Sequence, residues 1–168
     1  MKLNINNIEM FIFDFDGVLT NNLVFVDESG KESVSCNRAD GIAFEALRKL
    51  NKTVYILSTE RNKVVLARAN KLKIKAINKL KNKEHALKKI SERHKIPFKN
   101  ILYVGNDIND LIAMQMCKFR ACPSDSHKQI KKISNIIIKR KGGDGVAREL
   151  LENNLSIDLN KILYSVHS

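Results

Sequence analysis

Short, mostly apolar runs alternate along this chain with stretches whose apolar residues return every three or four positions. The runs are MFIF (10–13), TVYIL (53–57), KAIN (75–78), ILYV (101–104), FRAC (119–122) and NIIIK (135–139). Each is too short for a helix and bounded by polar residues, which predicts strands. Between them GIAFEALRKL, NKVVLARANKL, KEHALKKISERHK, DLIAMQMC, SHKQIKKI and GVARELLEN keep helical spacing. Strand and helix in alternation predict an α/β fold, a parallel sheet covered on both faces. One segment breaks the pattern: residues 22–36, NLVFVDESGKESVSC, predict two short strands around the turn DESGK, a hairpin inserted after the first strand. The final stretch, SIDLNKILYSVHS, predicts a weak helix or a tail.

Composition adds bounds. The 168 residues, without repeat or low-complexity linker and with only Pro97 and Pro123 as prolines, fit one domain over 1–168. Hydrophobic and charged contents of 43% and 29% are those of a globular protein. No apolar run nears the ~20 residues that span a bilayer, and MKLNINNIEM lacks the apolar middle of a signal peptide. A cytoplasmic protein is expected. Cys36, Cys117 and Cys122 form no CxxC pair and are expected to be reduced. The net charge of +12 favours anionic partners, but the lysines are spread along the chain, no zinc-finger or RNP-type motif is visible and tryptophan is absent.

In open parallel sheets ligands bind beyond the carboxyl ends of the strands. After the first strand stand Asp14 and Asp16; after the second, Ser58, Thr59 and Glu60; after the fourth, GNDIND with Asp107 and Asp110. Lys83 opens the helix after the third. Singly, each has a local explanation: a turn at Asp14 and Asp16, an N-cap at Ser58 or Thr59 for a helix from Asn62, an acidic first helical turn at Asp107 or Asp110, a solvated lysine at 83. These must hold independently at four strand ends, and none explains two carboxylates directly after an apolar strand. Like charges leaving water there need a cation, donors or open solvent, which makes the pair a candidate metal site.

In order, DFDGVLT, the hydroxyls of Ser58 and Thr59, Lys83 and GNDIND resemble the four motifs of the haloacid dehalogenase-like phosphohydrolases. The resemblance runs from Phe11 to about Leu151. NRADGIAFEALRKL, STERNKVVLARANKL and KRKGGDGVAREL are similar to segments of the small phosphatases that act on octulosonate 8-phosphate or nonulosonate (sialic-acid-like) 9-phosphate. The resemblance implies a Rossmann-like, doubly wound sheet with the hairpin as a minimal cap and no cap domain. It implies that Asp14 is a nucleophile forming an aspartyl-phosphate, that Asp16 is general acid and then base, and that Ser58 and Lys83 hold the phosphoryl group. Mg2+ would be held by Asp14, the Asp16 backbone carbonyl and Asp107, with Asp110 orienting that shell. Asn106 stands where many members carry Asp, which leaves Asp107 as the expected ligand.

Arg68 and Lys71 lie three apart on one helix face; by spacing they are surface charges or a receptor for a carboxylate. The resemblance implies that such a pair reaches a neighbouring subunit's site in a homotetramer whose hairpins close each other's sites. Glu60 resembles the nonulosonate enzymes, although Thr59 departs from both groups in replacing glycine, and the expectation leans to a nine-carbon acid. The implied partners are a small sugar-acid phosphate and further copies of the chain, with neither nucleic acid nor membrane. Two other readings compete. A catalytically idle oligomerisation domain, like those fused to acylneuraminate cytidylyltransferases, is opposed by an intact motif set. A nucleic-acid end phosphatase rests on charge alone.

Overall fold

The structure, a computed structural model, describes residues 4–164. The strands are β1 (Met10–Phe13), β2 (Phe25–Val26), β3 (Glu32–Ser33), β4 (Thr53–Leu57), β5 (Lys75–Ile77), β6 (Ile101–Val104), β7 (Phe119–Pro123) and β8 (Ile136–Ile138). The helices are α1 (Ala39–Lys49), α2 (Val64–Leu72), α3 (Lys83–His94), α4 (Leu111–Met116), α5 (Lys128–Ile133), α6 (Val146–Glu149), which runs into a π-helical turn over Leu150–Asn154, and α7 (Leu159–Tyr164). Of the two C-terminal alternatives, the helix is present as α7. Residues 165–168 of that stretch, and 1–3 of the N-terminal one, lie outside the described residues.

Six strands form one parallel sheet in the order β5-β4-β1-β6-β7-β8. β2 and β3 pair antiparallel outside it, and a bridge between Thr20 and Cys36 closes the base of the hairpin. The period of two along β1 divides the core. Phe11 and Phe13 join the layer containing Ala43 and Phe44 of α1, Val65 and Ala69 of α2, Val146 of α6 and Leu159 of α7. Met10 and Ile12 join Leu87 and Ile90 of α3, Met114 of α4 and Ile130 of α5. Phe13 meets Phe44 edge-on, with ring centroids 5.1 Å apart. Along α1, Ala43, Phe44, Ala46 and Leu47 are buried while Glu45 and Lys49 stay in solvent, as helical spacing requires. Each large apolar side chain buried in these layers contributes roughly 1.5–3 kcal/mol relative to exposure.

β1 sits centrally, with β4 and β5 to one side and β6 to β8 to the other. The strand order reverses at β1, so the loops after β1, β4 and β6 open into one crevice. Among the described residues no helix is long and apolar enough to cross a membrane.

Candidate active site

Asp14 leaves β1 without leaving the ladder: its N–H donates to the Val104 carbonyl at 2.9 Å. The chain then folds back. The Phe15 carbonyl accepts from the N–H groups of Leu19 at 2.9 Å and Thr20 at 3.1 Å. Gly17 takes φ +79°, a left-handed conformation in which a Cβ would also run into the Asn106 amide. Asp16 is left half-buried at the crevice mouth, near the hydroxyls of Ser58 and Thr20.

Lys83 is the first residue of α3, and side chains lean toward a helix N-terminus, so its stem runs beneath the end of β1. Nζ lies 2.7 Å from Asp14 Oδ1 and 2.8 Å from Asp110 Oδ1, with the lysine 1% exposed. Asp110 Oδ1 also accepts from the Tyr103 hydroxyl at 2.9 Å, and its Oδ2 from the Asn106 N–H at 3.0 Å. A Cβ on Gly105 would lie 2.7 Å from the Asp110 carboxyl, so glycine is what lets that carboxylate close against the backbone.

Three carboxylates, Asp14, Asp16 and Asp110, face one ammonium, which leaves a charge of −2 when all are ionised. Burial first, then Asp110, pushes Asp14 well above the usual carboxylate range against the pull of Lys83. Burial and then Glu60 raise Asp16, with Lys83 and the Ser58 and Thr20 hydroxyls opposing. Burial alone would lower Lys83, but Asp14 and Asp110 outweigh it and raise the lysine. The two directions are consistent: Lys83 is served by two carboxylates, whereas Asp14 shares its one cation with a competitor.

At one expected ligand an oxygen is already engaged locally: Asp107 Oδ1 caps the short turn 108–110 by accepting from the Ile108 N–H at 2.7 Å. Among the described residues no three His, Cys, Asp or Glu side chains gather closely enough to hold a metal ion. The group facing the Asp14 and Asp16 positions is Asn106. One terminal atom of its amide stands 3.1 Å from Asp14 Oδ2 and 2.9 Å from the Asp16 carbonyl oxygen. The sequence signal was Asn106 itself, the first polar residue beyond β6, passed over because it carries no charge. Tyr103 was missed too, being indistinguishable in sequence from a core aromatic.

At the rim, Ser58 is buried and its Oγ accepts from the Glu60 N–H at 3.0 Å, so it does not cap α2. Asn62, just ahead of that helix, accepts from the Val64 N–H at 3.1 Å. Thr59 is half-buried and Glu60 exposed. A cavity of about 230 Å³ between this loop and the hairpin is lined by Phe15, Asp16, Asn22, Val24, Glu32, Val34, Glu60, Asn62, Val64 and Val65. Asn62 Nδ2 donates to Glu32 Oε2 at 3.2 Å and ties the two walls together. Two wider cavities of about 400 Å³ carry none of the motif side chains. Arg68 and Lys71, both on α2, differ in surroundings: the Arg68 guanidinium donates to the Asn37 carbonyl at 2.7 Å, while Lys71 is exposed.

Comparison with known proteins agrees with this architecture. A model for haloacid dehalogenase-like hydrolases matches residues 27–150. A haloacid dehalogenase (HAD) family hydrolase from Streptomyces avermitilis is 36% identical, with a TM-score of 0.92 over 99% of this chain and 96% of its own. The 3-deoxy-D-manno-octulosonate 8-phosphate phosphatase of Salmonella typhi is 28% identical over 87% of this chain and 78% of its own. The enzyme of that name from Moraxella catarrhalis, solved with magnesium, phosphate and its sugar acid, is 26% identical, with a TM-score of 0.86 over 93% of this chain and 90% of its own. With three quarters of its length inside the family model and a solved relative superposing from end to end, this chain belongs to the haloacid dehalogenase-like hydrolase family.

Proposed function

We propose that this protein is a Mg2+-dependent phosphatase that removes the terminal phosphate of a 3-deoxy-ulosonic acid. The substrate is a nonulosonate 9-phosphate by preference, on the strength of Glu60, or 3-deoxy-D-manno-octulosonate 8-phosphate. The observation that carries the reading is the Lys83 bridge between Asp14 and Asp110 at the strand ends, with Asp16 beside it and a surplus of two negative charges. The kinship with octulosonate phosphatases, one of them solved with magnesium and its sugar acid, supports the substrate class.

The donor set fits magnesium. Asp14 Oδ2, the Asp16 carbonyl and the Asn106 side-chain oxygen are hard ligands on one side of the crevice. When bound, the ion neutralises charge on the phosphoryl oxygens. This chain's own groups do the rest. An oxygen of Asp14 attacks phosphorus as the bond to the sugar oxygen breaks. Asp16, whose hold on its proton is strengthened by burial and then by Glu60, gives a proton to the departing oxygen. Ionised Asp16 then takes a proton from water, whose oxygen attacks the aspartyl-phosphate and frees phosphate and Asp14. Lys83 has three donors, and Asp14 and Asp110 use two, so one is left for the phosphoryl group beside the Ser58 hydroxyl.

The exposed Leu23, Val24, Phe25 and Val26 of the hairpin support assembly of copies, proposed as a homotetramer in the cytoplasm, in which Arg68 or Lys71 meets the substrate of a neighbouring subunit. The test is phosphate release from both sugar-acid phosphates and a small aryl phosphate, with Mg2+ and with chelator, alongside light scattering. Selective, chelator-sensitive hydrolysis of a sugar-acid phosphate by a tetramer is expected. No preference over the aryl phosphate would end the substrate proposal, and an active monomer the assembly proposal.

A further inference from the structure

Asn106 puts an amide where its geometry has two incompatible uses. If nitrogen is the atom near Asp14 Oδ2 and the Asp16 carbonyl, at 3.1 and 2.9 Å, it donates to both and the three groups are mutually satisfied. If oxygen is there, three acceptors converge with no proton between them, an arrangement that only a cation stabilises. Those separations are ordinary N–H···O distances. They also lie close to the edge of about 2.8–3.0 Å that ligands at about 2.0–2.1 Å around an octahedral ion would have, whereas calcium distances would need about 3.3–3.7 Å, so the amide can change roles for magnesium with little movement of its neighbours. Asn106 is 8% exposed and held in place, because its backbone N–H is fixed by Asp110 and its other terminal atom fills the space that a Cβ on Gly17 would take. Turning over in place is the motion left to it.

We propose that Asn106 is a cation-gated ligand: its NH2 bonds Asp14 and Asp16 when the site lacks metal, and a magnesium-sized ion turns the amide over and takes its oxygen. This rests on the magnesium reading above and goes beyond it, because the resemblance implies a third carboxylate rather than a neutral, reversible group. Two consequences follow. The ion meets a single carboxylate and must displace two hydrogen bonds, so it binds more weakly than at a two-carboxylate site. The metal-free protein, in return, is not left with facing bare oxygens.

The full chain is stripped of metal by chelation and followed by the 15N side-chain amide spectrum, with the Asn106 pair assigned by its loss in Asn106→Asp. Addition of Mg2+ is expected to move that pair, and Ca2+ at the same concentration to move it far less. By calorimetry Asn106→Asp binds Mg2+ roughly tenfold tighter or more, since affinity follows ligand charge count. It also melts lower in chelator and gains more from Mg2+ than wild type does. Wild-type binding with an unmoved Asn106 pair, or equal affinity in Asn106→Asp, overturns the switch and leaves the magnesium reading standing. Absence of binding in both proteins, or undiminished binding in Asp14→Asn, removes the magnesium reading and the switch with it. Should Asn106→Asp fail to fold without metal, the pair is assigned in wild type through its through-bond link to the Asn106 backbone, and the wild-type spectra decide.

Discussion

On the floor of the crevice Lys83 joins two carboxylates and Asp110 accepts from a lysine, a tyrosine and a backbone N–H, all out of solvent. On the rim Glu60 and Lys71 stand in water, and Arg68 reaches only a backbone carbonyl. The difference is one of alternatives. Any other rotamer of Lys83 strands a buried charge, which costs several kcal/mol, whereas an exposed charge can move or be replaced at little cost. The floor is therefore held to one arrangement, suited to a phosphoryl group common to many substrates. The rim is free to differ, and there the sugar is selected.

The largest effect expected on the floor is from Asp14→Asn, which keeps the shape and removes the attacking charge. Turnover of any phosphate ester should fall about 10³-fold or more, and a rate near wild type in stopped assays would mean that the floor is not the reacting centre. Next is Lys83→Met, which leaves Asp14 and Asp110 facing each other unpaired. A loss of about 3–5 kcal/mol in urea unfolding is expected; a loss under 1 kcal/mol would mean that the floor is no more constrained than the rim.

Asp40 tests the comparison at a buried carboxylate outside the floor. It accepts from the N–H groups of Ala147 at 2.9 Å and Arg148 at 3.3 Å, yet among the described residues its Oδ2 has no partner. Burial raises it from 3.8 to about 6. The folded state thus binds the proton more tightly than the unfolded chain, so stability falls as pH rises from about 4 to 6 and levels above, a cost of up to about 3 kcal/mol at neutral pH. Asp40→Asn should remove that slope, its advantage over wild type growing across the same window. Parallel pH profiles of unfolding free energy in the two proteins would rule this out.

The smallest effect belongs to the rim. Glu60→Arg should lower the nine-carbon to eight-carbon ratio of kcat/KM by about tenfold, on the order of 1.4 kcal/mol. It should also move the alkaline limb of kcat to lower pH, because Asp16 loses a like charge that raises it. An unchanged ratio with a shifted limb would assign Glu60 to the chemistry of the floor instead of to the sugar.

Hydrophobic spacing determined the sheet almost residue by residue, since β1, β4 and β6 end where MFIF, TVYIL and ILYV end. Burial on both faces demands uninterrupted apolar residues, and that is a property of neighbours in the chain. The same logic made Asp14, Asp16, Ser58 and Lys83 legible, because a parallel sheet gathers the ends of its strands whatever the loops contain. Tertiary structure decided which of two adjacent residues faces the first carboxylate. Asp107 is spent on the turn at 108–110, while Asn106 is aimed by Gly17 in front and Asp110 behind. It likewise decided that Arg68 donates to the Asn37 carbonyl, and that Lys83 spans to Asp110, 27 residues away. Direction at such positions is set where three segments meet, and a single buried atom there excludes arrangements that local spacing leaves equally good.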